Sequence, residues 1–212
     1  MNTAGFIGSD ATHAASLLRN GGVIGMPTET VYGLAALASN ERAVKRVFDI
    51  KGRPYDHPLI IHLSPTEDVT MWGEFNSDAI ALAQSFWPGP LTLLVPRTTR
   101  VPDWVTGGRD TVALRVPSHP VTESLLELVA DGVVAPSANL FGKVSPTQAK
   151  HVFDDLGEQV DYILEGGPSQ IGVESTIVEC INTATILRPG AISREDIESV
   201  IRISMSLDTG ES

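Results

Sequence analysis

The chain has 212 residues, of which 42% are apolar and 19% charged, and its formal net charge is -11. This composition is typical of one folded globular domain and excludes disordered and fibrous classes. An excess of 26 Asp and Glu over 15 Lys and Arg argues against broad, non-specific binding to nucleic acid.

Three further features restrict the class of protein. No apolar run reaches about eighteen residues, so no membrane span is predicted. The first twenty residues lack the basic start and apolar stretch of a secretory signal. Cys180 is the single cysteine, which excludes an internal disulfide and a thiol-rich metal site. We therefore expect a cytoplasmic protein with one domain over residues 1–203 and a polar tail over residues 204–212.

Short apolar runs alternate with stretches of helical period along the chain. The runs predict eight strands, at residues 22–26, 58–63, 91–96, 111–117, 133–136, 161–166, 175–180 and 184–188. Apolar residues at helical spacing predict helices after Glu41 and after Pro120. This alternation favours an α/β domain, and strands that follow one another without a helix imply a mixed sheet.

Three hydroxyl residues are predicted to cap helix starts, because each has a polar residue three positions later that could complete a capping box. The pairs are Ser64 with Glu67, Ser145 with Gln148, and Ser193 with Asp196.

The common catalytic motifs are absent from the sequence. It contains neither G-x-x-x-x-G-K-[ST] nor G-x-G-x-x-G, and neither H-E-x-x-H nor G-x-S-x-G. Its five histidines are not spaced as metal ligands on one helix face, and no metal site is predicted. Cys180 falls in an alternating strand pattern, which favours a buried, inert thiol.

The first polar segment of interest, residues 27–34, reads PTETVYGL. Thr28, Glu29 and Thr30 follow the first predicted strand, a position at which α/β proteins commonly bind ligands. An equally good interpretation is that Thr28 and Thr30 cap a turn while Tyr32 packs on the core.

The second segment concentrates basic residues in an acidic chain. Lys51 and Arg53 come at the end of a predicted helix, where cations also favour the helix dipole. Pro54 stops the helix and places Arg53 and His57 on a loop. A planar guanidinium beside a compact ammonium suits a polyphosphate, so we expect Lys51 and Arg53 to face such a ligand.

The third and fourth segments place polar residues at strand ends. Ser137 and Asn139 follow a short apolar strand, and Ser145 opens the next predicted helix, either as an anion contact or as a plain N-cap. Arg188 ends a strand and Arg115 lies inside one. Each of these arginines needs a buried partner, which is either a structural carboxylate or a ligand.

Together these segments resemble the YrdC-like family of L-threonylcarbamoyl-AMP synthases, from about residue 14 to 201. The resemblance rests on Lys51-x-Arg53 and Ser137-x-Asn139, with PTETVYGL, WPGPLTLL, LRVP, STIV and LRPG in the family's order. The chain is expected to be a short form, without the additional C-terminal domain of longer members.

The resemblance implies a single-domain twisted mixed sheet, flanked by helices, with an elongated, positively charged cavity. It implies that N-carboxylated threonine, formed from L-threonine and bicarbonate, attacks the α-phosphorus of ATP and releases pyrophosphate. The ATP contacts it implies are Lys51, Arg53, His57, Ser137, Asn139, Ser145 and Arg188, of which Lys51, Arg53, Ser137 and Asn139 are assigned to catalysis. The threonine contacts are Thr30, Tyr32, His62, Arg115 and Ser175, with Tyr32 lining the same cavity.

The resemblance also implies a cofactor and a recipient. Mg²⁺ would be bound through the ATP phosphates, since no carboxylate cage is evident in the sequence. The labile product would pass to a tRNA threonylcarbamoyl transferase complex. The alternative is a double-stranded RNA-binding or ribosome-assembly module of the same fold, although the acidic charge predicts that direct binding to nucleic acid is weak.

Overall fold

The computed structural model describes residues 6–202, which form a mixed α/β domain. The predicted tail, residues 204–212, lies outside the described residues. The described part contains ten strands: β1 (Ile7–Gly8), β2 (Ile24–Met26), β3 (Gly33–Leu37), β4 (Ile60–His62), β5 (Leu91–Pro96), β6 (Thr111–Arg115), β7 (Val133–Val134), β8 (Tyr162–Leu164), β9 (Thr176–Glu179) and β10 (Thr185–Arg188). Its seven helices are α1 (Ala11–Arg19), α2 (Glu41–Lys51), α3 (Ser77–Phe86), α4 (Asp103–Thr106), α5 (Pro120–Val129), α6 (Ala149–Leu156) and α7 (Arg194–Val200).

All ten strands belong to one sheet, in the order β1-β8-β2-β3-β7-β4-β6-β5-β9-β10. Parallel pairs such as β4 with β6 occur beside antiparallel pairs such as β5 with β6, so the prediction of a mixed sheet is confirmed. The eight predicted strands are all present. Strands β1 and β3 were not predicted, because β1 has two residues and β3 is built from Gly, Ala and Leu, which carry a weak strand signal.

Helices cover both faces of the sheet. Val23 and Ile163 belong to one apolar core and Ile24 and Leu164 to another, as expected where successive side chains of a strand point to opposite faces. The smaller core is closed by α1 and α5, and the larger one by α2, α3, α6 and α7. Among the described residues, no helix combines the length and the apolar character needed to cross a membrane.

Two of the three predicted helix caps are wrong. The hydroxyl of Ser64 lies 3.0 Å from that of Thr66, and no helix starts there. Helix α6 begins at Ala149, after Gln148, so Ser145 lies in a loop before the helix. The cap at Ser193 is confirmed, since its side chain and that of Asp196 form a complete capping box.

The topology brings four connections to one place. Strands β4 and β6 are parallel neighbours, and their last residues, His62 and Arg115, are paired in register. The β2–β3 connection, residues 27–32, reaches these strand ends, because Arg115 donates to Thr30 and Glu29. A bridge joins Gly33, at the start of β3, to Ser137 just after β7, beside the start of β4. A Cβ at Gly33 would lie 2.9 Å from that of Ala135, so this close approach requires glycine.

Candidate active site

A cavity of about 300 Å³ lies at this junction of connections. Seven of the twelve predicted site residues line it: Arg53, Ser137 and Arg188 from the predicted ATP set, and Thr30, His62, Arg115 and Ser175 from the predicted threonine set. Residues more than one hundred positions apart in the sequence therefore share one wall. The structure brings the two predicted sets together in a single cavity.

We call Thr30, His62, Arg115 and the adjoining Glu29 the deep end of the cavity, since all four are buried. Arg115 donates to Glu29 Oε1 over 2.7 Å, to Thr30 Oγ1 over 3.0 Å and to the carbonyl of Gly89 over 3.3 Å. These three contacts fix the guanidinium on three sides.

The fourth residue of the deep end, His62, is a neutral imidazole. Burial, and then the positive charge of Arg115, lower the pKa of His62 to about 3. Of the two kinds of partner expected for Arg115, the structural carboxylate is present: it is Glu29, on the segment that precedes β3.

We call Arg53, Arg188 and Glu174 the mouth of the cavity, because their side chains are partly exposed. Arg188 donates to the carbonyl of Ser175 over 2.9 Å and to its hydroxyl over 3.0 Å. Its guanidinium is 3.6 Å from the carboxylate of Glu174. Burial lowers the pKa of both arginines, and Arg188 adds to the effect on Arg53. Its three defining side chains give the mouth two cations and one carboxylate.

Lys51 is not among the residues that line the cavity, and its predicted contact with ATP stays a prediction. Its ammonium donates to the carbonyls of Ser137 and Asn139, the latter over 2.6 Å, and the residue is only 3% exposed. Burial, and then Arg53, lower the pKa of Lys51 to about 8. The ammonium positions the loop that follows β7 and so acts on the cavity wall through Ser137.

Asn139 supports the same loop from within. Its side-chain amide donates over 2.8 Å to each of the carbonyls of Leu140 and Lys143. Its Oδ1 is buried and has no hydrogen-bond partner among the described residues. The K-x-R and S-x-N motifs are thus in direct contact, Lys51 with the backbone of Ser137 and Asn139.

The prediction that Tyr32 lines the cavity is wrong. Tyr32 is fully buried in the larger core, and its hydroxyl donates to the carbonyl of Gly167 over 2.7 Å. Burial is the main reason that its pKa is raised to about 12. The interpretation that Tyr32 packs on the core is the correct one.

His57 and Ser145 lie beside the cavity and do not line it. The ring of His57 is 6.1 Å from that of Phe141, centroid to centroid, in an edge contact. The hydroxyl of Ser145 donates to Glu174 Oε1 over 2.7 Å. Ser145 therefore acts on the mouth through Glu174, from a loop position and not as a helix cap.

Two carboxylates and an apolar rim were not assigned to the site from the sequence. In the sequence, Glu29 was noted only as a polar residue after a strand. Arg115, an arginine inside a strand that needs a buried partner, was the signal from which a pair with Glu29 could have been inferred. Glu174 directly precedes Ser175 and carried no signal of its own. The apolar rim consists of Leu187, which lines the mouth and is 50% exposed, and Phe141 on the adjacent loop, which is 56% exposed.

Comparison with known proteins places the chain in a family. The sequence model of the Sua5/YciO/YrdC family, described as telomere recombination, matches residues 16–190. The chain belongs to this family. The YrdC-like resemblance and the α/β fold predicted from the sequence are thereby confirmed.

Curated family members with high identity carry one name. The threonylcarbamoyl-AMP synthase of Pyrococcus abyssi is 48% identical over 190 residues, which is 89% of this chain and 56% of the relative. The enzyme of the same name from Bacillus subtilis is 48% identical over 193 residues, or 89% of this chain and 55% of the relative. The chain thus spans about half the length of these relatives.

A solved structure of the family matches the fold closely. The crystal structure of Pyrococcus abyssi Sua5 complexed with L-threonine superposes with a TM-score of 0.88 at 47% identity. The match covers 91% of this chain and 57% of that one. A Sua5/YciO/YrdC protein with this fold therefore binds L-threonine.

Proposed function

We propose that the chain is an L-threonylcarbamoyladenylate synthase. It would convert L-threonine, bicarbonate and ATP into threonylcarbamoyl-AMP and pyrophosphate, for the threonylcarbamoyladenosine modification of tRNA. The observation that carries the proposal is one cavity with two differently charged ends, a compensated deep end and a cationic mouth. The name shared by the curated relatives and the threonine complex of the Pyrococcus abyssi protein support it.

The deep end suits the amino acid. Arg115 has five N–H groups, and three of them are used by Glu29, Thr30 and Gly89, which leaves two for a substrate carboxylate. The hydroxyl groups of Thr30 and Ser175 line the same cavity and can hydrogen-bond polar groups of threonine. Neutral His62 offers a ring nitrogen, since its Nδ1 is buried without a partner in residues 6–202.

The mouth suits the nucleotide. Arg53 and Arg188 supply charge-assisted donors for phosphate oxygens, and the Ser137 hydroxyl lies on the same wall. Lys51 and Asn139 would act by holding that wall in place, while His57 and Ser145 flank it. The exposed side chains of the apolar rim offer a surface on which the adenine base of ATP can pack.

The reaction requires no nucleophilic side chain. The threonine ammonium releases a proton to solvent, the resulting amine adds to bicarbonate with loss of water, and an oxygen of the carbamate bonds to the α-phosphorus of ATP. The bond from that phosphorus to the bridging oxygen of pyrophosphate breaks. Alignment of the two reactants can lower the barrier by as much as about 7–11 kcal/mol in ideal cases. Donors aimed at the developing negative charge supply the remaining stabilisation.

Mg²⁺ is proposed to be held through the ATP phosphates. Within residues 6–202, no three His, Cys, Asp or Glu side chains are grouped to hold a metal ion. The donor set at the mouth contains one carboxylate, Glu174, which fits a cation held mainly by phosphate and water oxygens. When bound, Mg²⁺ would neutralise phosphate charge. The product would then pass in the cytoplasm to a tRNA threonylcarbamoyl transferase complex.

The test is pyrophosphate release from ATP by the purified chain, with the nucleotide product identified by mass. We expect release only when L-threonine, bicarbonate and Mg²⁺ are all present, and we expect R53A to abolish it. Release that is independent of threonine would contradict the proposal. A salt-dependent shift of double-stranded RNA, without any ATP turnover, would favour the RNA-binding alternative instead.

A further inference from the structure

Glu29 is the buried carboxylate at the deep end of the cavity. Its side chain is 6% exposed, and Oε1 accepts from Arg115 over 2.7 Å. Its second oxygen, Oε2, is buried and has no hydrogen-bond partner among the described residues. A buried carboxylate oxygen without a partner is costly, and a positively charged group of a ligand nearby would lower that cost.

The charges at the deep end cancel. Arg115 is cationic, Glu29 is its counter-ion, and His62 is neutral because burial and Arg115 lower its pKa. In a buried site, charges act over short distances with little screening by solvent. Without ATP and Mg²⁺ beside it, a ligand that brings a net charge to this end would leave that charge uncompensated, which is unfavourable.

An α-amino acid brings no net charge at neutral pH. Its carboxylate can take the two N–H groups that Arg115 has left, while its ammonium is stabilised by the negative field of Glu29. A carboxylic acid that lacks the amine has only the first interaction, and it also introduces an unmatched negative charge beside Glu29. The Arg115–Glu29 pair is therefore complementary to a zwitterion.

We propose that Glu29 is a specificity-determining residue, whose negative charge makes the deep end select a zwitterionic α-amino acid over the corresponding carboxylate without the amine. The proposal rests on the proposed function, since it states how the amino acid of that reaction is recognised. Glu29 does not line the cavity, so it acts through its field and through the orientation of Arg115. A purely structural counter-ion would instead affect the affinity for both ligands equally.

The experiment compares two ligands by calorimetry: L-threonine, and 3-hydroxybutyrate, which is threonine without its amine. We expect the wild-type chain to prefer threonine by at least about tenfold, the scale of one charge-assisted interaction. In E29Q, which keeps the shape and the acceptor toward Arg115, we expect the ratio of the two affinities to fall by about tenfold. An unchanged ratio in folded E29Q would overturn the proposal.

E174Q is the matched control. It removes a carboxylate by the same substitution at the mouth of the same cavity, and we expect it to leave the ratio within about twofold, because Glu174 is partly exposed and its field is screened. A ratio that falls equally in E174Q would mean that the total charge of the cavity, and not Glu29, sets the preference.

The failures of this proposal and of the proposed function are distinguishable. If wild-type protein binds threonine and 3-hydroxybutyrate equally, the selection by Glu29 is wrong, whether or not E29Q folds, while pyrophosphate release still tests the synthase reaction. If wild-type protein binds neither ligand and releases no pyrophosphate, the proposed function is itself wrong and the specificity proposal falls with it.

Discussion

The two ends of the cavity treat their charges differently. At the deep end, Arg115 is buried, held on three sides and neutralised by Glu29. At the mouth, Arg53 and Arg188 are partly exposed, and the one carboxylate there, Glu174, is 3.6 Å from Arg188. A fixed, compensated end suits a small zwitterion, whereas an under-compensated, more open end suits a polyanion. One end of the cavity thus holds a fixed, neutralised ion pair, and the other end holds the excess positive charge.

The largest effect is expected from R115A, which breaks the deep end. Removal of one partner of a buried ion pair costs about 3–5 kcal/mol, because it leaves Glu29 uncompensated. We expect urea denaturation to show this loss and calorimetry to show no threonine binding. R46A removes the Arg46–Asp161 pair, whose side chains are 38% and 33% exposed, and should cost at most about 1 kcal/mol. Equal losses in both variants would contradict the assignment.

K51A is expected to abolish synthesis while the fold survives. The carbonyls of Ser137 and Asn139 lose a charged donor, so the wall that carries the ATP contacts is no longer held. We expect kcat/KM for ATP to fall at least about a hundredfold, which corresponds to two charge-assisted hydrogen bonds. Circular dichroism would verify the fold, and K150A, on the surface, is the control. Normal turnover by folded K51A would remove Lys51 from the machinery.

The pH dependence of ATP use should report the charge of Lys51. Because burial lowers its pKa to about 8, the ammonium is present below that pH and is lost above it. We expect kcat/KM for ATP to fall as the pH rises through about 8, by about tenfold per unit at the limit. S137A leaves Lys51 in place, so its kcat/KM for ATP should show the same fall above pH 8. A profile that is flat from pH 7 to 9 would contradict a role for the ammonium.

S137A should sharpen the comparison between the two ends. The hydroxyl lines the wall near the mouth, so its loss is expected to raise the KM for ATP by about fivefold, the effect of one neutral hydrogen bond. The threonine affinity, measured by calorimetry, should change by less than about twofold. The reverse ranking would mean that the assignments of the two ends are exchanged.

C180S should have the smallest effect. The thiol is buried outside the cavity, and burial, followed by Asp78 and Glu179, raises its pKa to about 12. It is therefore neither a thiolate nor a nucleophile near neutral pH. We expect turnover within about twofold of wild type and a small change in the free energy of unfolding. A folded but inactive variant would show that the thiol takes part.

Local patterns predicted most of the elements. The alternation in LTLLVP and TVALRVP marked β5 and β6 because packing on a pleated sheet needs that period. Helix α2 and its end at Lys51 followed from apolar spacing and from Pro54. Strand β3 was not predicted because Gly and Ala carry a weak strand signal, and its first residue, Gly33, is needed for close approach to Ala135, a neighbour about one hundred residues away. No local signal carries that information.

The candidate site was predicted as a set of residues but not as an arrangement. Arg115 and Glu29 were both noted, yet their pairing depends on β6 ending beside the β2–β3 connection. Tyr32 was placed in the cavity because its motif neighbours lie there, whereas the turn of the chain sends its ring into the core. Ser145 was taken as a helix cap because the spacing to Gln148 is correct, but its hydroxyl finds Glu174 instead.

The sequence by itself determined the fold class, the family and most of the polar residues that line the cavity, because periodicity and short motifs are local properties of the chain. The tertiary structure alone decided which charges meet. It pairs Arg115 with Glu29, directs the ammonium of Lys51 to two carbonyls, and sets Arg188 3.6 Å from Glu174 while Arg53 donates to the carbonyl of Pro58. Electrostatic energy depends on distance and burial, and neither is written in the order of the residues.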